Sequence, residues 1–367
     1  MKVVHCISGG DAGGARTHVL SLLEELKRTD RVQLLCLGTG PLSRRAEELG
    51  LPCTVLTGGF GRQLRSAERL LRKDGWQLLH CHGSRANVLG ALLKGRLSCP
   101  VITTVHSDHT LDYLGRRAAG IVYGGLNARA LGRMDALVCV SEAMAEEYRR
   151  RGFANVYALY NGVDFSAPAQ RLPRGERGAA LGVPVGESDI LVGTAARMDP
   201  VKDLPTLLRG FAAAEDKRLK LLLAGAGPEE EALRALAREL HIAERVFFPG
   251  WLEETETLYS SLDIAALSSL SETFPYVLTQ AARYSVPVIA TPVGGVTALV
   301  EEGVTGLLFP VGDVSALARA LDSLAGNAER RLALGNALHD RAAERFSLSA
   351  MAAEQREIYR RVLGERE

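Results

Sequence analysis

Strand-like apolar runs alternate with amphipathic helical stretches along the whole chain, and this alternation constrains the fold more than any other feature. Runs near 2–8, 32–37, 53–56, 77–82, 100–106, 136–140 and 156–160 fill the first half; runs near 190–196, 219–224, 246–249, 263–267 and 286–290 fill the second. Such alternation implies parallel sheets with helices on both faces. Residues 166–188, rich in Pro, Gly and Arg, break the pattern and read as a linker. The expectation is an α/β chain of two doubly wound parallel-sheet domains, 1–165 and 189–346, facing across a cleft. Ligands then belong at the carboxyl ends of the strands, in that cleft.

Composition narrows the function. A chain of 367 residues is too long for one typical core and suits two domains. With 47% apolar residues, 24% charged residues and a net charge of +1, it is neither disordered nor marked for nucleic acid. No apolar run reaches the roughly 18 residues of a membrane span. The strand-like start Lys2-Val-Val-His-Cys-Ile7 argues against a signal peptide. The cysteines 6, 36, 53, 81, 99 and 139 form no CxxC pair and sit mostly in apolar runs, which reads as reduced core thiols in the cytoplasm. Charge is uneven: residues 1–165 hold 22 basic against 15 acidic residues, the remainder 22 against 28. The first half is expected to face something anionic.

The segment Ser268-Ser-Leu-Ser-Glu-Thr-Phe-Pro-Tyr-Val-Leu-Thr-Gln280 carries the most chemistry. Glu272 lies in a polar loop, and Pro275 is expected in the first turn of the following helix. Backbone donors from Phe274 to Val277 would point outward with the helix dipole behind them, a setting for a ligand bearing hydroxyls and phosphate. Tyr276 and Gln280, four apart, share a helix face. Upstream, the buried-strand pattern 190–196 runs into Arg197-Met-Asp-Pro-Val-Lys202. A guanidinium fork and an ammonium five residues apart can converge on a diphosphate.

Arg197…Lys202 followed by Glu272-Thr-Phe-Pro-Tyr-Val-Leu-Thr-Gln280 resembles the signature of the retaining glycosyltransferases of family 4, which have the GT-B fold. The resemblance implies transfer of a sugar, with retention, from a nucleotide diphosphate sugar (UDP- or GDP-linked) to a glycan, lipid-linked or small-molecule acceptor. It implies an acceptor domain first and a donor domain second, with the last helix, within 347–367, crossing back onto the first. Two positions depart from the family: Thr273 stands where Gly is usual, and Gln280 where a second Glu holds the ribose.

Other motifs take meaning from the resemblance. The loop Ser8-Gly-Gly-Asp11-Ala-Gly13-Gly14 lacks the dinucleotide spacing, but family members use its amides near the donor phosphates and acceptor. Gly225 and Gly227 form another strand-to-helix turn, and the Gly250-Trp251 loop cups the base in the family. The family's histidine at the position of His106 touches the reacting sugar, so His106, Glu272, Arg197 and Lys202 are the implied catalytic set. Donor-side residues are Gly13, Gly14, Gly225, Gly227, Gly250 and the run Glu272, Thr273, Phe274, Pro275, Tyr276, Val277 and Gln280; Asp11, His82 and His109 are implied on the acceptor side.

No Asp-x-Asp pair occurs, so Arg197, Lys202 and helix amides are expected to meet the diphosphate charge without a metal or other cofactor. A different reading builds a metal site from His80, His82, His106 and Asp108, as in a hydrolase, but it leaves the second-half motifs unexplained. A weakened nucleotide-sugar-binding protein and a sugar-nucleotide epimerase on the same scaffold are further alternatives. Arg62, Arg65, Arg69 and Arg72, and the stretch 111–133, fit either a solvated face or peripheral contact with anionic lipid.

Overall fold

The computed structural model describes residues 1–11, 14–106, 125–167, 169–252 and 255–364. The described chain divides into two compact units, residues 1–162 with 348–367 and residues 163–347. The first contains β1 (Lys2–Ile7), β2 (Arg31–Leu37), β3 (Cys53–Leu56), β4 (Leu78–His82), β5 (Val101–Val105), β6 (Ala136–Cys139) and β7 (Val156–Ala158). They form one parallel sheet in the order β3-β2-β1-β4-β5-β6-β7. The second contains β8 (Ile190–Ala195), β9 (Leu219–Ala224), β10 (Val246–Gly250), β11 (Ile264–Leu267), β12 (Val288–Ala290) and β13 (Leu307–Leu308), ordered β10-β9-β8-β11-β12-β13. Each unit is therefore doubly wound, with its winding reversed beside its first strand. Two residues long, β13 has no run for a sequence pattern to show.

Strand period decides what each face buries. In the first sheet Val3, Ile7, Leu78 and Ile102 share a core with Val19, Leu22 and Leu23 of the helix Gly14–Leu26 and with Met351, Ile358 and Tyr359 of the helix Leu348–Leu363. Val4, Cys6, Leu79, Cys81 and Val101 pack on the other face, against Ala67 and Leu71 of the helix Phe60–Lys73 and Leu89 and Leu93 of the helix Ser84–Leu93. The last helix thus belongs to the first unit, covering the face that carries His5, His80 and His82.

Residues 166–188, where composition predicts a linker, belong to the second unit. The helix Arg174–Leu181 forms there, and buried Asp263 ties it down. The Asp263 carboxylate accepts hydrogen bonds from Arg174 and Arg177 at 3.0 Å each and from the Leu191 amide at 3.0 Å, with Arg171 at 3.4 Å. Removing one partner of a buried ion pair strands the other charge, which costs about 3–5 kcal/mol. Asp263→Asn should lower the unfolding free energy of the second unit by about 3 kcal/mol in urea titration, given that cost. An unchanged midpoint would show the arginines to be held by their carbonyl partners alone.

Candidate active site

In the second unit the loops leaving β8, β9, β10 and β11 lock together through backbone. The Ala196 amide donates to Ala224 O at 2.9 Å, Met198 N to Ala226 O at 3.0 Å, Gly225 N to Gly250 O at 2.8 Å and Leu270 N to Val201 O at 2.8 Å. Two glycines are required by this closeness. Gly225 has φ +130° and a Cβ there would lie 1.9 Å from Ala196 O; Gly294, at φ +52°, would place one 1.6 Å from Glu272 O.

Arg197 and Lys202 do not converge on one point in this structure. Arg197, largely exposed, donates to Asp199, while Lys202 Nζ donates to Glu272 Oε1 at 2.6 Å. Ser269 Oγ donates to the same carboxylate oxygen at 2.6 Å. Each cation is paired with a carboxylate close to it. The strands that lead to Lys202 and to Glu272 are neighbours, since β8 pairs with β11.

The helix after Glu272 spans Tyr276–Arg283, so Pro275 occupies the position before its first turn rather than lying within it. Lacking an N–H, Pro275 contributes no donor, and Leu278 N is already bonded to Pro275 O at 3.2 Å. The outward donors of this turn reduce to the amides of Tyr276 and Val277. On the same face the Tyr276 hydroxyl and Gln280 Oε1 are buried without partners. Buried polar atoms are seldom left so. Thr273 O accepts from Gly295 N at 2.9 Å, and Phe274 packs on Phe346 with the rings tilted by 33° and their centroids 5.0 Å apart. Trp251, after Gly250, is 70% exposed.

In the first unit the structure assembles a histidine nest that the sequence only half discloses. β1 and β4 pair with His5 opposite His80 and Ile7 opposite His82, and β4 pairs with β5 so that His82 faces Thr104. His5, His80, His82, Thr104 and His106 therefore share one sheet face. His82 Nδ1 lies 3.1 Å from His106 Nε2, and His82 Nε2 lies 3.0 Å from His5 Nδ1. His5 Nε2 and His80 Nδ1 lie 3.0 and 2.8 Å from the Tyr359 hydroxyl, and His80 Nε2 lies 2.7 Å from Thr104 Oγ1. His18 donates from Nδ1 to Asn161 Oδ1 at 2.9 Å and leaves Nε2 buried without a partner. His82, expected on the acceptor side, is buried with both nitrogens engaged and has no atom left for a ligand. Among the described residues only His5, His80 and His82 bring metal-ligand atoms together, within 4.8 Å of one another.

Gly13, His109, Asp108 and residues 111–124 lie outside the described residues. Gly14 opens the helix behind the first loop, and Asp11 N donates to Ser8 O at 3.2 Å. Arg62, Arg65, Arg69 and Arg72 are exposed on the helix Phe60–Lys73, and Arg129 and Arg133 are exposed too. Among the described residues no helix is long and apolar enough to cross a membrane.

Family models match both halves: "Glycosyltransferase Family 4" over residues 12–167 and "Glycosyl transferases group 1" over 183–341. A D-inositol 3-phosphate glycosyltransferase of a Mycobacterium strain is 30% identical, aligning 86% of this chain with 78% of that protein. The chain belongs to glycosyltransferase family 4. An Escherichia coli O-antigen biosynthesis glycosyltransferase, WclY, is 24% identical over 100% of this chain and 99% of its own. The fold matches an Anabaena HepE crystal structure in complex with UDP at TM-score 0.83, with 20% identity and 98% and 99% coverage. The protein is thus a GT-B glycosyltransferase.

Burial shapes the protonation of this glycosyltransferase's nest. It pushes the His5 pKa down to about 3 and that of His18 to about 4, and it holds His80, His82 and His106 well below the usual histidine value. The neighbouring imidazoles add to the effect. Unfolded histidines take up protons as pH falls through about 6.5, while these stay neutral in the fold. Their contribution to stability is complete above that pH and is lost as pH falls towards the folded values, at about 1.4 kcal/mol per pH unit for each histidine. The urea midpoint of the first unit should drop between pH 7.5 and 5.5. A midpoint flat over that range would mean the nest protonates while folded.

Proposed function

We propose that this glycosyltransferase moves a sugar from a nucleotide diphosphate donor to a hydroxyl of a glycan, lipid-linked or small-molecule acceptor, with retention and without a metal. The observation that carries this reading is the backbone cradle at the carboxyl ends of β8 to β11, with Lys202 and Glu272 side by side in it. A diphosphate entering there draws Lys202 away from Glu272 and gains its charge as the leaving group departs. Glu272, released, accepts hydrogen bonds from sugar hydroxyls. Arg197, exposed on the same loop, swings from Asp199 to the phosphates. His106 donates a hydrogen bond to the sugar. UDP is the favoured nucleotide, supported by the UDP and UDP-glucose named with HepE. A lipid-linked or glycan acceptor is in keeping with WclY, and the exposed arginines would serve peripheral contact with an anionic inner membrane face.

Incubating the protein with a panel of nucleotide sugars and following nucleoside diphosphate release tests the donor. Loss of one transition-state charge partner costs about 2–4 kcal/mol, so Lys202→Ala should lose about thirtyfold or more in rate. Activity within about threefold of wild type, the limit that cost sets, would remove Lys202 from the diphosphate. Rates should survive EDTA; collapse restored by zinc would move the chemistry to the histidines.

The buried, unpartnered Oε1 of Gln280 supports a contact with a ribose hydroxyl of the donor. A carboxylate there would bind more strongly, because a charged acceptor is worth about 1.5–3 kcal/mol against 0.5–1.5 for a neutral one. Gln280→Glu should tighten the nucleoside diphosphate about fivefold by calorimetry, the ratio those values give. Unchanged or weaker binding would place residue 280 away from the ribose.

A further inference from the structure

The hydrogen bonds of the nest form one unbranched chain: His106–His82–His5–Tyr359–His80–Thr104. Every imidazole in its interior uses both ring nitrogens, one towards each neighbour. A neutral imidazole has one N–H and one bare nitrogen, so it must donate to one neighbour and accept from the other. The Tyr359 hydroxyl likewise donates once and accepts once. The whole chain consequently has two arrangements, one with every hydrogen bond pointing towards His106 and one with every bond pointing away.

Thr104 chooses between them. It is 1% exposed, and among the described residues its hydroxyl has a single partner, His80 Nε2. If Thr104 accepted from His80, its own hydroxyl proton would be buried with nothing to bond. If it donates, only a lone pair goes unused, and an idle acceptor is the lesser cost. Donation by Thr104 leaves His80 with its proton on Nδ1, donating to Tyr359. Tyr359 then donates to His5 Nε2, His5 donates from Nδ1 to His82 Nε2, and His82 donates from Nδ1 to His106 Nε2. His106 is left with its proton on Nδ1, the nitrogen without a partner among the described residues.

We propose that Thr104, His80, Tyr359, His5 and His82 are positioning residues that hold His106 as the Nδ1–H tautomer, so that it presents a hydrogen-bond donor and not a base to the ligand. This rests on the reading of His106 as a sugar-contacting residue, and it specifies that contact: a neutral donor to a hydroxyl oxygen. His106 is half-buried while the rest of the chain lies inside the unit. Desolvation disfavours an extra proton on any of these rings, which keeps each link neutral and the direction uniform. His18 stands outside the chain, its ring meeting His106 edge-on at 5.0 Å, with its proton committed to Asn161. The arrangement explains why a tyrosine on the last helix, Leu348–Leu363, reaches between two histidines of the first sheet.

Long-range proton–nitrogen correlation of the histidine rings in the full-length protein, without substrate, reads the tautomer directly. The expected result is His106 protonated on Nδ1 and bare on Nε2; protonation on Nε2 in the wild type overturns the proposal, whatever the variants do. Thr104→Val keeps the shape and removes the terminal donor, and should populate the Nε2–H form of His106. In assays kcat should fall about two- to tenfold, the scale of one neutral hydrogen bond, with the donor KM unchanged. Thr104→Ser should restore both readouts. Tyr359→Phe cuts the chain at its middle and should act like Thr104→Val; an unaltered His106 spectrum in both also overturns the proposal. Stoichiometric zinc binding that removes the ring protons of His5, His80 and His82 would replace it with a metal site. Because the spectra need no turnover, an Nδ1–H His106 in a protein that cleaves no nucleotide sugar would remove the donor reading and leave the relay standing.

Discussion

Both units depend on one constraint of parallel sheets: strands running the same way need a crossover, and a sheet that grows from its first strand in both directions has its winding reversed there. In the first unit the reversal lies between β1 and β4, in the second between β8 and β11. On either side of it the loops leaving the strands run apart, so the carboxyl ends of these strands are the part of each sheet that no crossover covers. The residues with unusual chemistry gather there in both units. His5, His80 and His82 line β1 and β4, while Arg197, Lys202 and Glu272 follow β8 and β11.

The same topology leads to opposite electrostatics. In the second unit the charges lie nearer solvent and in pairs; Lys202 and Glu272 are partly accessible, and the Glu272 carboxylate accepts from both Lys202 and Ser269. In the first unit the polar groups are neutral and sealed under the last helix, where a charge would be costly to desolvate. Neutral imidazoles can be buried only if each finds one donor and one acceptor. The chain from Thr104 to His106 meets that demand along one sheet face.

Sequence made much of this legible and hid the rest for physical reasons. Period and length reveal the strands, and the order of Arg197, Lys202, Glu272 and Gln280 reveals the family, because these features are local. His80 and His82 are visible as a same-face pair, yet His5 becomes their neighbour only through the register of β1 on β4. His18, Asn161 and Tyr359 enter through helix packing across up to 354 residues of sequence, which no local pattern records. Composition also misplaced residues 166–188: Pro, Gly and Arg suggest a loose segment, but three of its arginines meet Asp263, and a buried carboxylate outweighs weak local propensity.

The placement of Tyr359 shows how a site can depend on an element far from it in sequence. Helix Leu348–Leu363 earns its place in the first unit through Met351, Ala352 and Ile358, which bury apolar surface on the sheet face. That packing alone would be satisfied by phenylalanine at 359. The hydroxyl is needed because His5 Nε2 and His80 Nδ1 both point at the same spot, and two neutral nitrogens facing one another there need a group able to give one hydrogen bond and take another. Serine or threonine could do this chemically, but neither spans the distance from a covering helix. Tyrosine combines the reach of an aromatic ring with a hydroxyl tip, so apolar packing and hydrogen-bond direction are met by one residue.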